Sequence, residues 1–587
     1  MKIENKIISE KVLINNSKQK KLKFKNEQLY NEKVWKLSFK VVLPSLLISL
    51  LFGIYIFIDQ ILMQHLIPKN GVNYIQQALI DNGWTQEKID DILKEIYGVY
   101  GDSNLSQANK DTIFYQTNII GTINIIFISV GYFINSGASV LFSRSLAKSD
   151  KNEAKKIWIS SFYGCLFISL IITSIMLAIQ NSVISSIITN PKTSAKNWLE
   201  KDQNLYKDVL KFYSIRFDLI LKESNNYTYF ISSSIPFIMI LNLLIFFLRA
   251  EGKNYYITWV ALIANMFNIV FDILFFMVVK TNIFGGGIAT FLGYIINLSL
   301  IVGYIVYYEF IKKQNYSLYF GFSDLKIIKI DFKILLISFI LSVGTFVRDV
   351  SIAVANIVYL VVFINTFDKI GATTVLNDVN AVSGTPIYNL FFFAIYGIVD
   401  GLRPMMAYSY QEKKYSRVKN IYYMGLFFSF LFSVLINLIF WVVILSDSNI
   451  LTFFNATTDS QKEVLKELFM TLMFQFPFLA ISISGLSIFQ STGKMTLNFI
   501  ASLMQGTIIF FPVLFIMSGI AIALDSYHVM LFTGFTNIAI SSVTIEIIAS
   551  IYLFFYMGKK EKYNDPVSHL DLIIKKISNF KAIKKIV

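Results

Sequence analysis

Long apolar runs alternate with shorter polar segments from about residue 37 to about residue 557. Each run is long enough for a helix that crosses a hydrocarbon core of about 30 Å. Runs such as Leu46 to Ile58 and Leu426 to Leu445 lack the period of two that a membrane β-strand needs. The pattern therefore predicts an all-α membrane protein with twelve transmembrane helices. The predicted spans are 37–64, 116–142, 157–189, 227–249, 255–279, 284–308, 334–364, 380–406, 420–445, 468–490, 496–518 and 528–557.

Lysine and arginine concentrate in alternate polar segments, which indicates the orientation of the chain. The basic segments include the tails 1–36 and 558–587 and the connector 309–333. Positive loops stay on the cytoplasmic side, so both termini are expected inside, in a cell membrane. The basic N-terminal tail has no apolar core followed by a small-residue cleavage site, so we do not expect it to be a signal peptide.

Two predicted extracellular insertions, near 66–115 and 190–226, are unusually long. Trp84 to Tyr97, within the first, has the spacing of a short amphipathic helix. We expect this segment to form a solvated or interfacial cap rather than a separate domain.

The chain contains an internal repeat. Gly252 follows Pro236 by sixteen positions, and Gly493 follows Pro477 by the same interval. Six helices used twice with the same sidedness predict two lobes related by an axis along the membrane normal. We place the lobes at 37–308 and 334–557, in two pseudo-symmetric six-helix bundles that form a V-shaped central cavity.

Composition excludes several classes of function. The formal charge of +15 comes mainly from tails and loops rather than from one basic face, so no nucleic-acid partner is expected. The single cysteine, Cys165, and three separated histidines give no disulfide framework, zinc cluster or catalytic pair. No phosphate-binding GxxxxGK[ST] loop is present, so energy for transport would come from a gradient. We therefore expect no enzyme and no cofactor.

Ionisable residues at membrane depth cost at least about 2.5 kcal/mol each, which makes them candidates for function. Asp59 lies in the first span, and Asp272 lies in the fifth with Asn268 one helical turn before it. Such a cluster could hold Na⁺ or share a proton. Alternatively, each carboxylate could reach the interface or face a water-filled cleft. Pro44 marks a place where the first helix can bend.

Several motifs together resemble the multidrug and toxic compound extrusion (MATE) family across residues 35 to 557. They share the order and spacing of that family, in the branch of archaeal and DNA-damage-inducible efflux proteins. The matching motifs are Leu43 to Asp59, Gly137 through Arg144 to Lys155, Leu248 to Lys253, Asn268 to Asp272 and Gly286 to Thr290.

The resemblance implies a cation site formed by four residues and a cavity lined by others. It also implies secondary active multidrug efflux, in which lipophilic or cationic compounds are exchanged for H⁺ or Na⁺ by alternating access. We expect a monomer whose partners are small-molecule xenobiotics and membrane lipids. The implied coupling residues are Asp59, Asn268, Asp272 and Thr290, and the implied lining residues are Tyr55 and Asn242.

The second half lacks the same cation set, because Ile509 and Val513 occupy the repeat positions of Asn268 and Asp272. Adjacent Arg348 and Asp349 lie mid-way along the seventh span, where they could serve a substrate, a second ion or a buried structural network. We expect a cavity rich in Phe, Tyr and Met.

Three other functions stay open at this stage. The nearest is a flippase of the wider superfamily that exports a lipid-linked or oligosaccharide substrate. An intramembrane lipid enzyme is less favoured, since neither a converging nucleophile and base nor a metal set is visible. A channel is less favoured because the duplicated lobes and the sparse cation site fit alternating access better.

Overall fold

A computed structural model describes residues 33–97, 102–132, 134–147, 150–199, 203–311, 318–326, 329–382, 384–446 and 448–558. These residues form helices and connecting turns, with no β-strand among them. The α-helices are α1 (Val34–Leu66), α2 (Tyr74–Asp81), α3 (Gln86–Tyr97), α4 (Asp102–Tyr132), α5 (Asn135–Ala147), α6 (Lys151–Ile187), α7 (Pro191–Ala195), α8 (Gln203–Ala250), α9 (Asn254–Ile273), α10 (Phe284–Val306), α11 (Phe332–Lys369), α12 (Thr373–Ala381), α13 (Thr385–Gln411), α14 (Tyr415–Ser446), α15 (Asp459–Thr492), α16 (Met495–Leu503), α17 (Phe510–Leu524), α18 (His528–Leu531) and α19 (Thr533–Ile551). π-Helical turns at Leu274–Val278, Tyr307–Ile311, Met504–Ile508 and Tyr552–Met557 extend or join several of them.

Eleven helical segments of the described chain are long and apolar enough to cross a membrane. The segment predicted at 116–142 is not among them, because it is shared between two helices and its larger part, in the helix Asp102–Tyr132, contains the amides Gln116, Asn118 and Asn124. It is divided into α4 and α5 near Ile134, whose φ of 65° is left-handed and so interrupts the helix. Both pieces nevertheless pack against α8 and α11, inside the bundle.

Helix α8 is much longer than the predicted span 227–249. It runs for 48 residues, so its first half extends well beyond the apolar part of the chain. The extension is stable because its apolar side is buried against the predicted extracellular insertions, in a cluster that contains Ile89, Trp84 and Phe212. We call this assembly of α2, α3, α7 and the first turns of α4 and α8 the outer cap. The expected amphipathic helix in Trp84 to Tyr97 is confirmed as α3, with Ile89, Ile92 and Leu93 buried.

The repeat predicted from the spacing of proline and glycine has a matching local structure. Pro236 and Pro477 both lie inside long helices, α8 and α15. Gly252 and Gly493 then end these helices with φ of 76° and 73°, a conformation that glycine adopts without strain. In both turns the following lysine N–H donates to a carbonyl five residues earlier, a Schellman cap.

The two halves of the chain meet through small residues. Gly53 on α1 faces the backbone of Leu390 on α13, and Gly397 on α13 faces Ser49 on α1. Small residues at such crossings allow helix backbones to approach closely in a membrane. Large apolar clusters lie on either side of this contact, one within residues 63–320 and the others mostly within 382–557.

Polar contacts also join the halves at two ends of the bundle. At the inner contact, on the predicted cytoplasmic side, Ser342 Oγ of α11 accepts a hydrogen bond from Gly137 N–H at 2.8 Å and lies 3.2 Å from Ser136 Oγ. At the outer contact, Asn455 Nδ2 donates to the buried carboxylate of Asp111 at 3.0 Å. The halves are therefore in contact on both sides of the cavity described below.

The connector between the halves is bound to the first half at the predicted cytoplasmic side. The carboxylate of Glu251 accepts the N–H of Tyr319 at 2.7 Å, and Trp158 Nε1–H donates to Gly321 O at 2.9 Å. Burial under the connector raises the pKa of Glu251 to about 8, although the Tyr319 N–H and Lys253 act in the opposite direction.

Candidate functional site

A cavity of about 480 Å³ lies between the two halves, within the size range of pockets that hold drug-sized ligands. Helices α1, α8, α9 and α10 line one side, and α11, α13, α15 and α19 line the other. The cavity is thus formed by both halves of the repeat, as the predicted V-shaped arrangement requires.

Asp59 on α1 and Asp272 on α9 are brought together behind the cavity wall. Asp59 is 4% exposed and Asp272 is fully buried. Their carboxyl groups lie close enough to interact directly. One oxygen of Asp59 and both oxygens of Asp272 have no hydrogen-bond partner within the described part of the chain. A buried polar atom without a partner is costly, so these oxygens are suited to bind a proton or a cation.

The other two predicted coupling residues lie between this pair and the cavity. Asn268 and Thr290 line the cavity together with Tyr55, whereas the two aspartates do not. Tyr55 OH donates to Thr290 Oγ1 at 3.2 Å and links α1 to α10. Asn268 packs against Gly293, where an added Cβ would lie 3.3 Å from Asn268 Cβ. The four predicted residues therefore belong to one cluster at the contact of α1, α9 and α10.

Sequence reasoning missed the aromatic and amide residues that complete the cluster. Tyr227 of α8 faces both aspartates, and its hydroxyl accepts a hydrogen bond from Asn124 Nδ2 at 3.2 Å. Tyr294 of α10 lies near Tyr55 and one turn after Thr290 on the same helix. The spacing of Thr290 and Tyr294 was a usable signal, because positions four apart share a helix face.

The remaining predicted residues are more dispersed. Asn242 lines the cavity, and its Nδ2 donates to Gly131 O at 3.2 Å. Arg348 lines the opposite side, with its guanidinium 4.7 Å from the centre of the Tyr396 ring. The side chain of Asp349 lies outside the described residues. Pro44 is inside α1 and interrupts its backbone hydrogen bonds without ending the helix.

The cavity lining differs from the expectation in one respect. Aromatic side chains are abundant, but no methionine occurs among the described lining residues, so that part of the prediction is wrong. Phenylalanine, tyrosine and many amides fill the wall instead. The described charged residues of the wall are three arginines, and no aspartate or glutamate accompanies them there. The aromatic lining residues are Phe52, Tyr55, Phe246, Tyr294, Tyr359, Tyr388, Phe392, Phe393, Tyr396 and Phe510, and the arginines are Arg249, Arg348 and Arg403.

A second polar group, also missed, lies on the side of the cavity formed by the second half. Gln505, in the π-helical turn Met504–Ile508, is 1% exposed, and neither polar atom of its side chain has a partner in the described chain. Asn537 on α19 donates its Nδ2 hydrogen to Gln505 O at 3.0 Å, while its Oδ1 is unpartnered there. π-Turns are frequent at functional sites.

Comparison with known proteins finds one family model that matches part of the second half of the chain. Residues 352–516 match the MatE family. A relative from Mycoplasmoides gallisepticum, the uncharacterized protein MG447 homolog MYCGA2290, is 23% identical over 555 residues, covering 93% of this chain and 94% of its own.

Solved structures share the fold at low sequence identity. An outward-facing multidrug resistance MATE family transporter of the MOP superfamily aligns with a TM-score of 0.63 at 15% identity, covering 91% of this chain and 98% of its own. A MOP superfamily transporter from Pyrococcus furiosus, described as having a binding pocket of reverse polarity, aligns with a TM-score of 0.62 at 14% identity and the same coverage.

Proposed function

We propose that this chain is a MATE-family transporter of the MOP superfamily, and that it is a secondary active exporter that exchanges small amphiphilic molecules for H⁺ or Na⁺. The observation that carries the proposal is the contact between the buried carboxyl groups of Asp59 and Asp272, one layer behind the cavity wall. The pair is the proposed coupling site, and Tyr55, Asn268 and Thr290 connect it to the cavity.

Electrostatics explains why this pair would bind one cation. Two like charges about 4 Å apart repel by about 4 kcal/mol where the effective dielectric constant is about 20. Burial makes the doubly ionised pair still less favourable, so a proton or Na⁺ is needed to lower its charge. Oxygen donors suit Na⁺, and Asn268 and Thr290 supply an amide and a hydroxyl in the same cluster. Among the described residues, no group of three or more His, Cys, Asp or Glu could hold a transition metal.

Helix α1 would transmit the change of charge to the cavity. Asp59 lies on α1, and Tyr55 on the same helix donates to Thr290 of α10. When a cation enters the pair, α1 can move relative to α9 and α10 by bending at Pro44, where one backbone hydrogen bond is missing. The first-half side of the cavity then shrinks and substrate leaves. Cation and substrate therefore compete, which is the requirement for exchange.

The test is transport by purified protein in proteoliposomes with an imposed pH or Na⁺ gradient. Asp59→Asn and Asp272→Asn keep the side-chain size but cannot ionise, so each should reduce gradient-driven efflux to background. Asp208→Asn is the matched control, because Asp208 forms an exposed ion pair with Lys88 in the outer cap. Near wild-type efflux by Asp59→Asn, with unchanged dependence on both gradients, would refute the assignment of Asp59 and Asp272 as the coupling site. Flux without any gradient dependence would instead indicate a channel.

A second candidate function is a flippase of the same superfamily that exports a lipid-linked substrate. The observation that favours it is the set of arginines in the cavity wall, because such residues suit phosphate groups. Translocation of a fluorescent lipid between the leaflets of proteoliposomes, measured by dithionite quenching, separates the two functions. A pure exporter of soluble amphiphiles should leave the lipid in its original leaflet.

A further inference from the structure

The side of the cavity formed by the second half contains a polar pocket built by three helical elements. Arg348 on α11 is 3% exposed, and its guanidinium lies over the Tyr396 ring. Ser351 lies on α11 about one turn after Arg348 and packs tightly against Gly506, where an added Cβ would lie 2.6 Å from the backbone carbonyl carbon of Ser351. Arg348 is therefore held beside the π-turn that carries Gln505. Asn537 joins the same turn through its bond to Gln505 O.

The donors and acceptors of this pocket favour one ligand chemistry. Gln505 offers an unpartnered, buried amide that faces the cavity, and Asn537 offers an unpartnered Oδ1. A guanidinium and an amide N–H are donors that suit an oxyanion, and an acceptor beside them suits a hydroxyl. A monoprotonated phosphate ester supplies both kinds of group. A quaternary ammonium supplies no hydrogen-bonding group and would meet the positive charge of Arg348.

We propose that Arg348, Gln505 and Asn537 form a subsite for the oxyanion headgroup of an amphiphilic substrate, whose apolar part contacts the aromatic wall of the same cavity. This substrate class deepens the proposed export function and rests on it. The aromatic residues Tyr388, Phe392 and Phe393 on α13 line the same cavity and supply apolar surface for the tail. The headgroup and the coupling cation then bind on opposite sides of the cavity, one in each half of the repeat.

Binding to the purified full-length protein in nanodiscs tests the subsite without requiring transport. The probes are octyl phosphate, octanoate and octyltrimethylammonium, which share one tail and differ in headgroup. Isothermal titration calorimetry should show that octyl phosphate binds more tightly than octanoate, and that both bind at least tenfold more tightly than octyltrimethylammonium. Inorganic phosphate at equal concentration should fail to displace octyl phosphate. Equal or tighter binding of the ammonium probe, or displacement by inorganic phosphate alone, would overturn the proposal.

Variants assign the headgroup to the named residues. Arg348→Gln should weaken octyl phosphate binding by about 10- to 100-fold, since a hydrogen bond to a charged group is lost. Arg348→Lys keeps the charge but loses the forked pair of donors, so its affinity for octyl phosphate should lie between those of Arg348→Gln and wild type. Arg417→Gln is the matched control, because Arg417 lies outside the cavity lining.

A second position keeps the proposal testable if Arg348→Gln does not fold. Gln505→Glu conserves size and adds a negative charge, so it should abolish octyl phosphate binding. Unchanged affinity in a folded Arg348→Gln or Gln505→Glu protein would overturn the subsite.

The outcome separates the two proposals. Gradient-driven efflux of a cationic dye without octyl phosphate binding would leave the export function intact and remove the subsite. Octyl phosphate binding without any gradient-driven efflux would leave the subsite intact and remove the export function.

Discussion

Replacing Gly137 by alanine should open the inner contact between the two halves. An added Cβ at this position would lie 2.0 Å from the backbone oxygen of Ser338 on α11, whereas ordinary contact begins at 3.4 Å. Helices α5 and α11 must therefore separate locally by about 1.4 Å, since a helix backbone cannot yield as a flexible side chain does. At Gly303 on α10 an added Cβ would meet no atom within 4 Å, so Gly303→Ala is the matched control.

The size of the effect follows from the cost of overpacking. Such a clash costs about 1–3 kcal/mol, which corresponds to a shift of about 5- to 150-fold in population towards conformations where α5 and α11 are apart. Ser136 and Ser342 supply the reporter, because their hydroxyl oxygens lie 3.2 Å apart across the contact. Ser136→Cys/Ser342→Cys in a Cys165→Ala background should form a disulfide readily under mild oxidation.

Adding Gly137→Ala should slow formation of this disulfide by a factor within that range, and adding Gly303→Ala should leave the rate unchanged. Slower transport should accompany the slower cross-linking, because the proposed exchange by alternating access requires the inner contact to close and open in each cycle. An unchanged cross-linking rate in a folded Gly137→Ala protein would show that the close packing of α5 and α11 does not control the inner contact.

Three further changes have defined outcomes. Asn455→Ala removes the hydrogen bond to Asp111 at the outer contact, which is worth about 1.5–3 kcal/mol. A cysteine placed beside this contact should then react faster with an impermeant maleimide. An unchanged rate of labelling would exclude a gating role for the outer contact. Burial raises the pKa of Glu251 in the folded state to about 8, from its ordinary value of 4.5. The folded protein therefore loses stability as the pH rises from the ordinary pKa to the raised one, because the unfolded chain ionises first. Glu251→Gln can still accept the N–H of Tyr319, and its Tm advantage over wild type should grow from pH 5 to pH 8 and then level off; parallel Tm profiles would contradict this. Pro44→Ala should raise Tm by restoring a helix hydrogen bond but lower gradient-driven efflux, and undiminished efflux would show that bending at this position is unnecessary.

The sequence was most informative where polar residues are rare. Asp59, Asn268 and Asp272 stand out within apolar runs because lipid-exposed charge is costly, and the structure brings them together. Tyr227 gave no comparable signal, and Tyr294 gave only its spacing of four from Thr290, since the chain has 32 tyrosines and 54 phenylalanines, many of them exposed.

The polar subsite of the second half was missed for a geometric reason. Counting from the glycine turn pointed to Ile509 and Val513, which assumes the same helical register in both halves. In the second half, however, the π-turn Met504–Ile508 precedes these positions, while in the first half the π-turn Leu274–Val278 follows Asp272. A π-turn inserts one extra residue, which rotates the helix beyond it by about 100°. The length of α8 was unpredictable for another reason: its charged first half is stabilised by segments distant in sequence.

The length of α8 amplifies small movements at the cavity into larger movements of the outer cap. Helix α8 begins 24 residues before the predicted span, and this extension runs from Gln203 to Asn226. At 1.5 Å per residue it is about 36 Å long. If the embedded part of α8 tilts by about 10° during transport, the tip moves by about 6 Å, whereas side chains at the cavity move far less. The outer cap is fixed to this tip through its buried core and the Lys88–Asp208 ion pair. A fluorophore or spin label on the cap would therefore report small rearrangements at the cavity as displacements large enough to measure by energy transfer.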